Sequence, residues 1–254
     1  MPLAIDAVRD LNAAARGAGV AEWILQFDNV ATHAQYALPY AITARHVRPG
    51  DAVLDWGCGN GHFSLFLESL GARVTGYSFE PPPRAMARSR TFNFVGGSPA
   101  EPRALPFPNA SFDAVTGVGV LEHVWETGGD ERASLAELAR VLKPGGVLLT
   151  FHLPNRAGWV ERVVHLLRLN KHFHRRKFEA AEIQRLWSDA GFGVVELGLY
   201  NALPRTELRR LPGAVRHSVA FARAFEAVDN AMISLAPRIC TNFYVVGVLG
   251  TGPK

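Results

Sequence analysis

The segment Val53-Leu54-Asp55-Trp56-Gly57-Cys58-Gly59-Asn60-Gly61 constrains this chain more than any other. An apolar run ends in an acid, and the turn that follows places glycine at every second position. Glycine opens turn conformations closed to other residues and lets main-chain N–H groups come close to a ligand. His62 to Leu70 then reads as a helix, whose positive end faces the same place. Strand, acid, glycine turn and helix together describe a nucleotide-type binding site better than they describe an ordinary βα turn. The spacing departs from the dinucleotide pattern G-x-G-x-x-G: here the glycines stand at 57, 59 and 61, and Phe63 follows where a small residue would be wanted. A carboxylate at the strand end, Asp55, instead suits a cationic amino group such as that of a sulfonium amino acid.

The rest of the chain alternates strands with helices. Ala21 to Val47 carries apolar residues at helical spacing and stops at Pro49-Gly50-Asp51. Strands are expected at Ala52–Asp55, Ala72–Ser78, Phe92–Gly96, Phe112–Gly117, Val147–Phe151, Gly193–Leu199 and Asn242–Leu249. Leu135, Leu138, Ala139 and Leu142 make one helical face, and Ile183, Leu186, Trp187 and Ala190 another, capped by Gly191. That alternation predicts an α/β fold with a doubly wound, mostly parallel sheet covered on both faces. Residues 1–48 form a helical cap outside it, and residues 204–237 a helical insertion before the last strand. Phe221, Phe225, Val228, Met232 and Leu235 draw a narrow stripe along the insertion, read as a packing face, a substrate lid or a dimer seam.

At 254 residues and 48% hydrophobic, the chain can bury one substantial core. Charges within residues 1–19 speak against a secretory signal, and no apolar run reaches the about 20 residues of a membrane span. Two distant cysteines suggest neither a disulfide framework nor a cysteine metal site, which fits a reducing cytoplasm. Of the net charge of +4, residues 155–216 carry twelve Lys/Arg against six Asp/Glu. This basic half suits an anionic acceptor or peripheral contact with an anionic membrane surface. Lys171, Arg175, Arg176 and Lys177 lack the interleaved aromatics that nucleic-acid binding wants.

Several segments share one resemblance. Ser111-Phe112-Asp113-Ala114-Val115 with Val120-Leu121-Glu122-His123-Val124, the stretch Leu138 to Gly146 ending in Pro144-Gly145-Gly146, and Leu105-Pro106-Phe107-Pro108 accompany the glycine turn in order. Together they resemble the class I S-adenosylmethionine (SAM) methyltransferases, in particular the small-molecule branch (methyltransferase type 11) that includes quinone-pathway enzymes. The resemblance implies a Rossmann-like seven-stranded sheet with an antiparallel last strand beside strand six, and residues 49–203 with 238–254 as the SAM-binding domain. It implies SAM as cofactor and methylation of a small-molecule or lipid-linked acceptor, at oxygen by preference.

The family pattern also suggests site residues. Asp55 would meet the methionine ammonium, directly or through water, with Gly57, Cys58, Gly59, Asn60 and Gly61 forming the turn around it. Gly117, Val118 and Gly119 would flank the methionine moiety, Phe79 would stack on the adenine, and Ser98 and Leu105 would line its end. Ser78 stands where the family places an acid for the ribose, so Glu80, two residues on and on the same side of an extended strand, is expected to take over. His123 and His152 are candidate bases for an acceptor hydroxyl, or packed histidines; His172 and His174 read as rim residues of a basic loop. Relatives that bind a metal here carry a carboxylate three residues before the Glu-His pair. Gly119 fills that position, and no metal is expected. Two rivals remain: a nucleic-acid methyltransferase, and a non-catalytic binding protein on the same fold.

Overall fold

The computed structural model describes residues 5–24, 26, 29–98, 100–167 and 174–251. In chain order its elements are helices α1 (Ile5–Gly17), α2 (Val30–His33) and α3 (Ala37–His46), then β1 (Ala52–Trp56), α4 (His62–Ser69), β2 (Arg73–Ser78), β3 (Asn93–Gly96) and β4 (Phe112–Val118). Next come α5 (Glu131–Val141), β5 (Leu142–Pro154), α6 (Val160–Leu166), α7 (Ala180–Asp189) and β6 (Phe192–Tyr200). The last are α8 (Gly213–Arg216), α9 (Val219–Leu235) and β7 (Asn242–Leu249).

All seven strands join one sheet in the order β3-β2-β1-β4-β5-β7-β6. The pairs β1·β2, β1·β4, β2·β3 and β4·β5 are parallel. β7 lies between β5 and β6 and runs antiparallel to β6. Just before β7, the Thr241 N–H donates to Asn201 O, past the end of β6 (2.8 Å); just after it, the Gly250 N–H donates to Gly191 O, before β6 begins (3.2 Å). This is the expected mostly parallel, Rossmann-like sheet with its last strand reversed. The central strands are rich in apolar residues because both faces are covered: Val53, Leu54, Val115, Leu148 and Leu149 are fully buried. α5 covers one face with Leu135, Leu138 and Val141, and starts at Asp130, whose carboxylate accepts from the Ala133 N–H (2.8 Å).

Two boundaries differ from expectation. β5 begins at Leu142, not Val147, because Pro144 holds the preceding residue out of the helical region and so ends α5. Leu142 pairs with Phe112, the register then shifts, and pairing resumes at Ala114 with Val147. The long helix expected over Ala21 to Val47 is interrupted, and Asn29 restarts it as an N-cap, its side chain accepting from the Thr32 N–H (2.9 Å). Residues 25, 27 and 28 of that span, with Lys171 and His172 singled out above, lie outside the described residues.

The described chain groups into two units. One comprises residues 46–156, 174–198 and 243–251, and holds the strands around the glycine turn with α4, α5 and α7. The other comprises residues 5–45, 157–167 and 199–242 and is helical. In it α9 turns Ala222 and Asp229 inward, while Val228 and Leu235 of the apolar stripe are 55% and 87% exposed. Phe221, Phe225 and Met232 are half-buried, and Asp229 is held by a buried ion pair that apolar spacing cannot reveal: the Arg205 guanidinium donates to its Oδ2 at 2.6 Å, and its Oδ1 accepts from the Leu203 N–H at 2.7 Å. No helix among the described residues is long and apolar enough to cross a membrane.

Candidate functional site

Parallel strands bring their C-terminal ends to one edge. Where strand order reverses, at β1, the connections leave in opposite directions and a crevice opens. A cavity of about 300 Å³ lies there, lined from the ends of β1, β2 and β4. That is the low end of the volumes usual for small-molecule sites.

The glycine turn forms its floor. Gly57 has φ +75° and packs so tightly against β4's outgoing loop that a Cβ would stand 2.4 Å from Val120 Cγ2. Its N–H and that of Cys58 both donate to Tyr77 O (2.8 and 3.1 Å), which ties the turn to β2. Gly59, at φ +47°, differs: a Cβ there would meet nothing nearer than 3.9 Å, so its Cα side is open to the cavity. Cys58 is buried, Asn60 Oδ1 accepts from the His62 N–H (3.2 Å), and Gly61 packs against Met86 and Pro83; none of these three lines the cavity.

Asp55 lies deep in the fold. It is 2% exposed and sits behind the turn, not in the cavity wall. Ser64 Oγ donates to its Oδ2 (2.5 Å) and Thr116 Oγ1 to its Oδ1 (3.2 Å), so α4 and β4 already hold both oxygens. Burial raises its pKa to about 6, against the lowering effect of those hydroxyls. Through these two hydrogen bonds Asp55 ties α4 and β4 to the end of β1.

On the β2 side, Ser78, Phe79 and Glu80 all line the cavity. The Ser78 hydroxyl accepts from the Glu80 N–H (3.0 Å) and so fixes the backbone carrying the exposed carboxylate. Ser98 stays outside, its Oγ accepting from the Ala100 N–H (3.2 Å). At the end of β4, Gly119 lines the cavity, whereas Gly117 serves packing: a Cβ there would lie 3.0 Å from Trp56 Cε3. Val118 does not line it either.

Leu105 closes the remaining side, and α5 holds it. Its N–H donates to Glu137 Oε2 (2.8 Å), and its carbonyl accepts from Arg140 Nη2 (2.9 Å). Arg140 also donates to Phe107 O (2.8 Å) and pairs with Glu137, whose pKa it lowers. Arg140→Ala is expected to cost about 1–2 kcal/mol of stability, the pair being part-exposed. Hydrogen exchange at the Leu105 and Phe107 amides should speed up, and unchanged exchange there would remove Arg140 from this role.

The two candidate bases separate. His123 lines the cavity, its Nδ1 within 3.0 Å of Glu126 Oε1. His152 does not; it sits at φ +63°, and burial, helped by the nearby His174, lowers its pKa to about 4, leaving a neutral, weak base. Glu122, beside His123, is 2% exposed and burial raises its pKa to about 7. The site therefore gathers Gly57, Gly59, Ser78, Phe79, Glu80, Gly119 and His123. It leaves out Asp55, Cys58, Asn60, Gly61, Ser98, Gly117, Val118 and His152. Sequence reasoning missed Trp56, Tyr77, Arg103, Val120 and Thr127 as lining residues. Trp56 was within reach, since it ends β1 at the switch point, and Tyr77 lies one residue before the end of the neighbouring β2.

Comparisons with known proteins agree with this geometry. Residues 54–150 match the family described as a methyltransferase domain, Methyltransf_11. Over 189 residues, 73% of this chain and 68% of the relative, the sequence is 34% identical to a Mycolicibacterium smegmatis protein named "Probable S-adenosylmethionine-dependent methyltransferase". It is 30% identical over 154 residues to O-methyltransferase cnsE of Penicillium expansum, covering 58% of this chain and 54% of that protein. The chain spans between 61% and 68% of the length of its first curated relatives. Among solved structures, the Haloferax volcanii methyltransferase in complex with the Trm112 activator matches with a TM-score of 0.58 at 21% identity, over 87% of this chain and 91% of that one. A likeness of that degree speaks for the fold alone.

Proposed function

Because the chain belongs to the S-adenosylmethionine-dependent methyltransferase family, whose cofactor is SAM, we propose that it methylates a small-molecule or lipid-linked acceptor at an oxygen atom. One observation carries the reading: the cavity at the switch point opens onto the Cα of Gly59 on one side and onto Glu80 on the other. A Cβ at position 59 would fill the space that a bound tail needs, and Glu80 supplies the acceptor oxygens that a ribose diol needs. The residues present thus fit the cofactor. Gly57 and Gly59 would hold the methionine end, Glu80 the ribose, and Phe79, 36% exposed, the base.

Bound SAM supplies a methyl group already activated on a positive sulfur. What the protein must add is alignment, which accounts for much of the rate in such a displacement. The wall with His123, Val124 and Thr127 faces the acceptor end and would orient its hydroxyl. Oxygen is favoured by the relationship to an O-methyltransferase and by a polar group on that wall. The basic excess of residues 155–216 suits an anionic acceptor.

The ribose assignment has its own test. Glu80→Ala should weaken binding of SAM or its demethylated product by roughly tenfold or more, the value of a charge-assisted hydrogen bond. Ser78→Ala removes only the brace on the Glu80 backbone and should cost less; calorimetry giving the reverse order would reassign the ribose to Ser78. The acceptor itself is sought by mass spectrometry, as metabolites that gain a labelled methyl group from labelled SAM. Absence of heat with either ligand would turn the reading toward a non-catalytic member of the family.

A further inference from the structure

The short turn Leu121–Thr127, which follows β4, contains a carboxylate in unusual surroundings. Glu122 is 2% exposed, and its Oε2 has no hydrogen-bond partner among the described residues. A carboxylate oxygen shut away from water without a donor is costly, so this position asks for a partner that the chain does not supply. Its other oxygen faces the cavity side: a Cβ built on Gly119, which lines the cavity, would lie 3.6 Å from Glu122 Oε1.

Two imidazoles converge on this carboxylate. One ligand atom each from Glu122, His123 and His174 lies within 4.8 Å of the others, and the two rings stand 5.4 Å apart between centroids. His174 is held there by its neighbours. Arg176 pairs with Glu131 and with Glu182 (2.7 Å) and lies over the Phe178 ring at 4.4 Å. Phe178, fully buried, donates its N–H to Pro154 O at 2.8 Å. The segment is thus anchored on both α5 and α7 and to the end of β5.

We infer that Glu122, His123 and His174 form a binding site for a divalent transition-metal ion of the zinc class, with an open position on the cavity side. Two imidazoles with one carboxylate are the donor set of such ions, whereas magnesium and calcium prefer oxygen alone. Around a tetrahedral ion with bonds near 2.1 Å the ligand atoms stand about 3.4 Å apart. The present spread of up to 4.8 Å is wider, so an ion would draw the three side chains together. The proposal departs from the sequence expectation of no metal. That expectation counted donors near the Glu-His pair, where Gly119 withholds one; the third donor comes from far along the chain. The open position would take an acceptor oxygen and lower the pKa of its proton, with His123 then a ligand and not a base. The ion site rests on its three donors and not on the methyl-transfer reading.

The test uses untagged full-length protein, stripped of metal and free of SAM. Calorimetric titration with ZnCl₂ should show one ion bound per chain, and CoCl₂ should develop the intense visible absorption of low-coordinate cobalt. Glu122→Gln and His174→Ala should each weaken zinc binding by roughly tenfold or more. His217→Ala, at an exposed histidine outside the cluster, should leave it unchanged. No stoichiometric binding, or binding that survives both substitutions, overturns the site. Should Glu122→Gln fail to fold, His174→Ala decides alone, since His174 is only part-buried at the end of an anchored segment.

Discussion

Asp55→Asn should leave the protein folded but lower its affinity for S-adenosylhomocysteine roughly tenfold to hundredfold at pH 7.5, the worth of a charged interaction in a desolvated place. Asparagine keeps the shape and one acceptor for Ser64 or Thr116, so the change removes charge more than structure. The pH dependence follows from the raised pKa of about 6. Below about pH 4 the carboxyl is protonated in both folded and unfolded chains. Between pH 4 and 6 the unfolded chain releases its proton while the folded one keeps it, so the Asp55 contribution to stability falls across that window and levels off above it. Binding runs the other way. A ligand with a fixed ammonium favours the ionised carboxylate, so affinity should rise as pH climbs through 6, by up to about tenfold per unit below it. The variant should show no such rise. Calorimetry at pH 5.5 and 7.5 on both proteins decides the point: matching pH profiles would remove the carboxylate from recognition, whatever its part in the fold.

Asp55 shows what local pattern can and cannot carry. The strand–turn–helix unit is local. Its strand, its glycines and the start of α4 are set by neighbours within a few positions, and β7 likewise spans the expected Asn242–Leu249. Whether a side chain at a strand end points into the crevice or behind it depends on partners from elsewhere, here Ser64 on α4 and Thr116 on β4. The same division explains the other differences. Asn29 breaks the N-terminal helix by a cap that competes with apolar spacing, and the buried Arg205–Asp229 pair sets a polar residue of α9 inward beside its half-buried apolar stripe. Nothing in sequence brings His174 near Glu122, whereas in three dimensions their ligand atoms lie within 4.8 Å of each other. Fold class, resting on many weak local signals that agree, was legible. Site membership, resting on a few long-range contacts, was legible only where the motif itself forms the wall.

Gly57 and Gly59 look equivalent in sequence, and replacing each with alanine should separate fold from binding. Gly57→Ala puts a Cβ where Val120 Cγ2 would be 2.4 Å away, at a φ of +75°. The left-handed backbone costs about 1–2 kcal/mol and the overpacking a further 1–3. A loss of roughly 2–5 kcal/mol is expected, lowering the thermal midpoint by about 4–20 °C in a chain of this size. Val120→Ala in the same chain removes both clashing methyls and should restore part of the loss, whereas purely additive effects would mean the strain is all in the backbone. Gly59→Ala meets no atom within 3.9 Å and keeps an accessible φ of +47°, so its melting temperature should move by only a few degrees, for about 1 kcal/mol. Its methyl group, however, enters the space where the methionine end would lie, and binding of S-adenosylhomocysteine should weaken by roughly tenfold or more, an overpacking cost of about 1–3 kcal/mol. If Gly59→Ala bound the ligand as well as the parent chain, the turn would be a structural brace only, and the methionine end would have to sit elsewhere in the crevice.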